Sequence, residues 1–261
     1  MDIVKKDNDN NLIIGEEPEL IKSSITFNGK NNRLICEEGV ALKNSKIKFS
    51  GDNSIIYLGK PRGNLQLHVP IYSNSVLFID KFTKTNGLLH LLLSEGKNII
   101  MGKHCLFSFD IWFRLADPHL IYSSNNKKRI NFSKSIYFGD HIWVGQDVLI
   151  MKGTKVGSGS IIGAKSLISN KEIKSNSIWA GNPAKEINSD IFWDIEHVHN
   201  YKKEDTEKSL YFDDDHWIYE EDGFTLNMDD IENNLQNMNV DEKVDYLIKL
   251  SNINIKNRFY I

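Results

Sequence analysis

The sequence predicts a mainly β protein: a parallel β-helix of hexapeptide coils with one loop insertion and a mostly helical C-terminal appendage. Three observations predict it. From residue 132 to 168 every sixth position is apolar without a slip: Phe132, Phe138, Val144, Ile150, Val156, Ile162 and Ile168. Glycine follows four of them, as Gly139, Gly145, Gly157 and Gly163. Charge is also divided, with a net −13 over residues 190–250 against +8 over 1–189. A period of six belongs neither to a helix nor to a plain strand. It fits three short strands per coil, each repeated apolar residue pointing into a triangular prism and the next turning a corner. With 40% hydrophobic residues, a chosen register would match seven times by chance about twice in a thousand, which sets aside a coincidental run in a β-sandwich.

Composition narrows the class. The 261 residues are 40% hydrophobic and 26% charged, enough apolar material for a core and ordinary for a globular chain. No apolar run approaches the ~20 residues that span a bilayer, and MDIVKKDNDNN lacks a secretory h-region. Cys36 and Cys105 cannot make a disulfide framework or a cysteine-rich zinc site. No His/Cys/Asp cluster has metal-ligand spacing, and no nucleotide-binding glycine motif is present. These features point to a cytoplasmic protein without a metal, a membrane span or nucleic-acid recognition. The basic first region suits an anionic ligand such as a phosphorylated cofactor, or is a solvated surface. The 28 asparagines fit a chain with many tight corners, since Asn tolerates left-handed backbone; a biased genome gives the same enrichment.

The elements follow in order. Residues 1–95 read as degenerate N-terminal coils: apolar clusters at 34–42, 47–57, 65–79 and 88–93 alternate with Gly/Asn/Ser turns, and Leu58-Gly59 keeps the corner pair. Their spacing looks irregular. Residues 96–187 form the hexapeptide-repeat β-helix, with Met101-Gly102, Phe107-Ser108 and Phe113 in register. The polar stretch 114–131, RLADPHLIYSSNNKKRIN, breaks the hexad; such insertions usually form loops on one face, often the functional one. Residues 188–261 form the acidic appendage. Asn239 with Asp241 and Glu242 signals a helix start, and Val240, Val244, Leu247 and Ile248 lie at helical spacing. Mostly helix is expected over 227–257, most simply capping the open end of the β-helix. YFDDDHWIYEEDGF carries no assignable pattern. His104 and His141 follow Gly-x corners and are expected to point outward.

From Arg114 to Lys185 the chain resembles the hexapeptide-repeat acyltransferases, in the branch that O-acetylates bacterial surface polysaccharides, including sialic-acid capsules. The residues that carry the resemblance are Arg114, Asp117, His119, Ile121 and Tyr122, then Asn126, Arg129, Ile130 and Asn131, then His141, Trp143 and Gly145. The turn Ala180 to Lys185, AGNPAK, closes the pattern. Ala116, Pro118, Phe138 and SNKEIKSN depart from it. The resemblance covers about seventy residues and leaves out 1–95 and 195–261. It implies a left-handed β-helix, acetyl-CoA as co-substrate, a homotrimer and sites between subunits.

By the same resemblance His119 is the general base. The chemistry agrees, because attack of a sugar hydroxyl on a thioester needs proton removal, and a neutral imidazole can take that proton. Asp117 would fix its tautomer, or only cap the loop. Trp143 would lie near the thioester and help hold the acetyl carbonyl, or only cover the coil exterior. Gly145, Gly163 and Ala164 would permit close approach of the pantetheine arm. Lys165 and Lys185 would meet the phosphates, or simply be solvated. Arg114, Tyr122 and Arg129 would line the acceptor side, where basic groups suit a carboxylated sugar. The expected function is thus acetyl-CoA-dependent O-acetylation of a surface-polysaccharide sugar. The alternatives are N-acetylation of a nucleotide-activated amino sugar and a β-helical scaffold without catalysis.

Overall fold

The computed structural model describes residues 1–261. Each coil lays one strand on each of three faces, giving a parallel β-solenoid of about seven turns, consistent with a left-handed β-helix. The first face stacks Leu12–Gly15, Arg33–Cys36, Ile55–Leu58, Val76–Ile79, Asn98–Met101, Ile136–Phe138, Lys155–Val156 and Glu172–Ile173. The second face is split into a pair, Glu19–Ile21 with Ala41–Lys43, and a six-stranded ladder from Lys84–Thr85 to Ala184–Asn188. The third face runs from Ser24–Phe27 to Leu167–Ile168. Inward side chains from all three faces merge in one core.

Coil width explains why the first half hid its repeat. On the third face Lys46, His68, His90 and Trp112 are rung neighbours spaced 22 residues apart, so the spacing is regular after all. Leu149 and Leu167, further along the same ladder, are 18 apart. A four-residue strand sends two side chains inward, as Leu77 and Ile79 do. A two-residue hexad strand sends one, such as Val144 or Ile162. From Phe138 to Ile168 the six hexad positions are buried in the core. Phe132, the first of the seven, is 61% exposed and belongs to the loop instead.

The asparagines have a structural use. Asn10, Asn31, Asn53 and Asn74 occupy one corner at φ between 57° and 62°, where most L-residues are strained and Asn is tolerated. Their side-chain amides bond up the stack at 2.8, 2.7 and 3.4 Å.

The appendage contains α1 (Lys203–Lys208), α2 (Met228–Asn237) and α3 (Val240–Ser251). Asn227 and Asn239 cap α2 and α3, and Glu242 completes a capping box on α3. The appendage does not cap the open end. Met228, Ile231, Leu235, Val244, Leu247, Leu250 and Phe259 pack laterally on the outer side of the first face, against Ile35, Tyr57, Phe78, Ile100 and Tyr137. That face is therefore buried on both sides, as its apolar runs LIIG, IIYL and VLFI require. Arg258 is fully buried and ties the tail down: it bonds Asp80 at 2.7 Å and Asp140 at 2.7 and 2.8 Å, and donates to the carbonyls of Leu250 and Ile253.

Candidate functional site

The insertion leaves the end of Ile111–Arg114 on the third face and returns to Ile136–Phe138 on the first. It folds into a small hairpin, with Tyr122 bridged antiparallel to Arg129 and Ile130 N–H donating to the Ile121 carbonyl. Asn131, almost fully buried, organises its base. Its Oδ1 accepts from Ile121 N–H at 2.9 Å and from Arg129 Nε at 3.3 Å. Its Nδ2 donates to the His119 carbonyl at 2.7 Å and to Asp117 Oδ2 at 3.2 Å. The main chain at and just after His119 is thus fixed, while its imidazole is exposed and makes no hydrogen bond within the chain.

Asp117 does not orient that imidazole. Lys152, from the next coil, donates to Asp117 Oδ2 at 2.6 Å and holds the carboxyl below the usual carboxylate range. A second ion pair braces the outer side: Arg129 makes two bonds to Glu95, at 2.6 and 2.9 Å, and Ser133 donates to the same carboxylate. The Arg129 and Ser133 bonds hold Glu95 down at a pKa of about 2. Arg129 is therefore committed to the loop itself. Arg114 differs: its Nε is buried with no acceptor, and the guanidinium has no ion pair within the chain. Tyr122 is exposed on the hairpin.

Trp143 lies on the second face, 39% exposed, between Leu106 and Ile161 in the ladder. The loop springs from the corner between the third and first faces, and in a triangular prism that corner is opposite the second face. His119 and Trp143 of one chain are therefore kept apart. His141 does not point into solvent either. It is 1% exposed, sandwiched between Trp193 at 3.9 Å and Trp217 at 3.6 Å. Burial lowers its pKa to about 4.

At the corner after Trp143, a Cβ on Gly145 would stand 2.6 Å from the Ala164 nitrogen, and one on Gly163 would stand 2.7 Å from the Ala180 Cβ. Coil stacking alone demands these glycines, so they are not in themselves a cofactor signal. Lys165 is paired with Asp147 at 2.8 Å, both at the surface. Lys185 is exposed and unpaired. Sequence reading gave no role to Asn131, although it stands in the motif, and none to Glu95, Lys152 or Trp193. A lysine or glutamate facing outward from a coil looks like any solvated residue until the fold places it.

Fold and site together define a hexapeptide-repeat β-solenoid whose single large insertion presents a histidine. No protein-family model matches the chain. The crystal structure of the polySia-specific acetyltransferase NeuO superposes with a TM-score of 0.65 at 32% identity, covering 76% of this chain and 92% of that one. The polysialic acid O-acetyltransferase OatWY shares the fold, with a TM-score of 0.62 at 24% identity over 78% and 96% of the two chains. In sequence, 113 residues are 29% identical to the polysialic acid O-acetyltransferase of Neisseria meningitidis, 43% of this chain; the match spans about half of that relative's length, 52%. The chain belongs to the hexapeptide-repeat acyltransferases, in the branch that holds the polysialic acid O-acetyltransferases.

Proposed function

We propose that this protein transfers acetyl from acetyl-CoA to a hydroxyl of an acidic sugar in a bacterial surface polysaccharide, with sialic acid the first candidate. The observation that carries the reading is His119, an exposed imidazole on a backbone clamped by a buried asparagine. Such a group is pre-positioned and free to take a proton. His119 removes the proton of the acceptor hydroxyl as it attacks the thioester carbonyl. The Trp143 indole N–H, which has no acceptor in the chain, and backbone N–H groups of the coil hold the developing oxyanion. His119 then returns its proton to the departing thiolate.

Arg114 receives the acceptor carboxylate, since its guanidinium is unspent and Arg suits planar anions. Tyr122 offers an exposed aromatic surface on the hairpin, whereas Arg129 supports the loop. CoA would run past the corner at Gly145, Gly163 and Ala164, with Lys185 nearest to hand for a phosphate and Lys165 shared with Asp147. Because the loop and Trp143 lie on opposite sides of the prism, the site is completed between copies, in an assembly for which the resemblance supports a homotrimer. The reading places the enzyme in the cytoplasm; no helix is long and apolar enough to cross a membrane.

Release of CoA thiol from acetyl-CoA, measured against a panel of acidic and neutral polysaccharides including polysialic acid, tests this. Acceptor-dependent release, with a product acetyl group lost under mild alkali, is expected. An alkali-stable product would point to an amide and an amino-sugar acceptor. Release independent of every polysaccharide, or none, would contradict the proposal.

A further inference from the structure

The C-terminal arm touches the strand that carries Trp143, and nothing in the reading above uses it. Between residues 189 and 219 the chain meets the corner between the first and second faces through Trp193 and Trp217; Phe82, His104 and His141 hold left-handed backbone positions there, and Phe82 stacks on His104. Trp193 and Trp217 close on the two flat sides of His141, nearly parallel to it, at 6° and 4°. Trp193 and His141 also exchange bonds: His141 Nε2 meets the Trp193 carbonyl at 2.8 Å, and Trp193 Nε1 donates to the His141 carbonyl at 3.0 Å. Trp193 is buried, and its ring centroid lies 5.9 Å from that of Trp143, tilted by 44°. Trp217 instead reaches the other way, toward His104 at 5.3 Å.

We infer that Trp193 is a positioning residue for the acetyl-transfer site: it forms the wall against which the Trp143 indole is held, and His141 locks that wall to the Trp143 strand. This rests on the role given to Trp143 above. The physical case is simple. Trp143 stands on an outer face, where a side chain has rotamer freedom, and a donor useful to an oxyanion must be held in one orientation. An offset, tilted aromatic neighbour within 7 Å supplies such a restraint. The two reciprocal side-chain-to-carbonyl bonds fix Trp193 more firmly than packing alone. Two indoles flank one imidazole, but only Trp193 reaches Trp143, so their effects on catalysis separate.

The test is a double-mutant cycle. Wild type, W143A, W193A, W143A/W193A and W217A are compared with acetyl-CoA and polysialic acid as probes, measuring kcat, KM, CoA affinity by calorimetry and thermal midpoint. W193A is expected to lower kcat by roughly ten- to a hundredfold, as misplacement of a reacting group does, with W193F recovering most of it. In the W143A background the same change has no further effect. W217A lowers the thermal midpoint while kcat per folded protein stays within about twofold of wild type. Additive losses in the cycle, or W193A and W217A that differ from wild type only in stability, would overturn the inference and leave Trp143 in place. Wild-type turnover in W143A would overturn both. If W193A does not fold, W193L, which keeps apolar bulk but loses the aromatic face and the Nε1 donor, is combined with W143F to read the same coupling.

Discussion

Asn131 illustrates how one side chain can set up a site without facing it. Its amide holds the carbonyl of His119 and the N–H of Ile121 together, so Asn131→Ala leaves both groups unpaired at a cost of about 1–3 kcal/mol. Faster hydrogen exchange at the Ile121 amide and a fall in kcat are expected; unchanged exchange would refute the clamp. The two arginines are expected to part company. Arg114→Ala should raise KM for an acidic acceptor at constant thermal midpoint. Arg129→Ala should lower the midpoint, because Glu95 loses both its arginine bonds and keeps only that from Ser133. Equal kinetic effects on acceptor KM would contradict that division. The motif made His119, Asp117 and the arginines visible as candidates, but it did not reveal which partner each would take. Asp117 went to Lys152 rather than to the histidine two residues away, because the next coil brings an ammonium to 2.6 Å. Lys152 lies outside the hexad core positions, so periodicity carried no word of it.

At the scale of elements, the hexad was legible because each face contributes one inward side chain per strand. The same scan failed upstream because two residues per strand turn inward, stretching the coil to 22 residues. His68, His90 and Trp112 sit on successive rungs at that longer period, His90 stacked on Trp112 and meeting His68 edge-on, and a search at 22 would have found them. The helices could be foreseen from caps and spacing, but their docking place could not be read from their own sequence. It was written instead in the first-face strands, apolar throughout in LIIG, IIYL and VLFI, whereas third-face strands such as KIKF and LHVPI alternate. The clasp that secures the helices is Arg258. Burial opposes its charge, and Asp140 and Asp80 more than compensate, so its pKa is raised. Arg258→Met should cost about 3–5 kcal/mol, because two buried carboxylates lose their countercharge; denaturant unfolding that shifts by less than about 1 kcal/mol would contradict this.

The docked appendage also makes stability depend on pH. Burial works against the Glu232 carboxylate, but Lys97, Ser135 and Tyr137 outweigh it and bring the pKa to about 2. A carboxyl with a depressed folded pKa contributes stability above its unfolded value, which is lost as pH falls toward about 2. Burial lowers His104 and His141 to about 4, below the unfolded value near 6.5. The unfolded chain therefore binds more protons between those values, and stability falls from pH 6.5 to 4. Thermal midpoints should decline in two stages, the histidine stage first, and His141→Asn should blunt the first. A flat profile from pH 7 to 4 would contradict the assignment.

For the whole molecule, the prism decides how a site can be assembled. The first face is occupied by the chain's own helices, so it is not free for another copy. The second face presents Trp143, and the opposite corner presents the His119 loop. A single chain cannot bring these together, whereas a ring of copies can set the loop of one against the second face of the next. Helices α2 and α3 lie on the covered first face, where Glu232 pairs with Lys97 and Asp229 with Lys155, each at 2.8 Å.

The most direct test of this account mixes two inactive variants. His119→Ala and Trp143→Ala are each expected to lose activity while folding normally, His119→Ala by ~10²–10⁴-fold in turnover. Co-refolded in equal amounts, they should recover about a quarter of wild-type acetyl transfer to polysialic acid, because one interface in four pairs an intact histidine with an intact tryptophan. Recovery at that level would show that the two residues act together across copies. Mixtures as inactive as their parents would contradict a shared site, and near-wild-type turnover in His119→Ala alone would contradict the base.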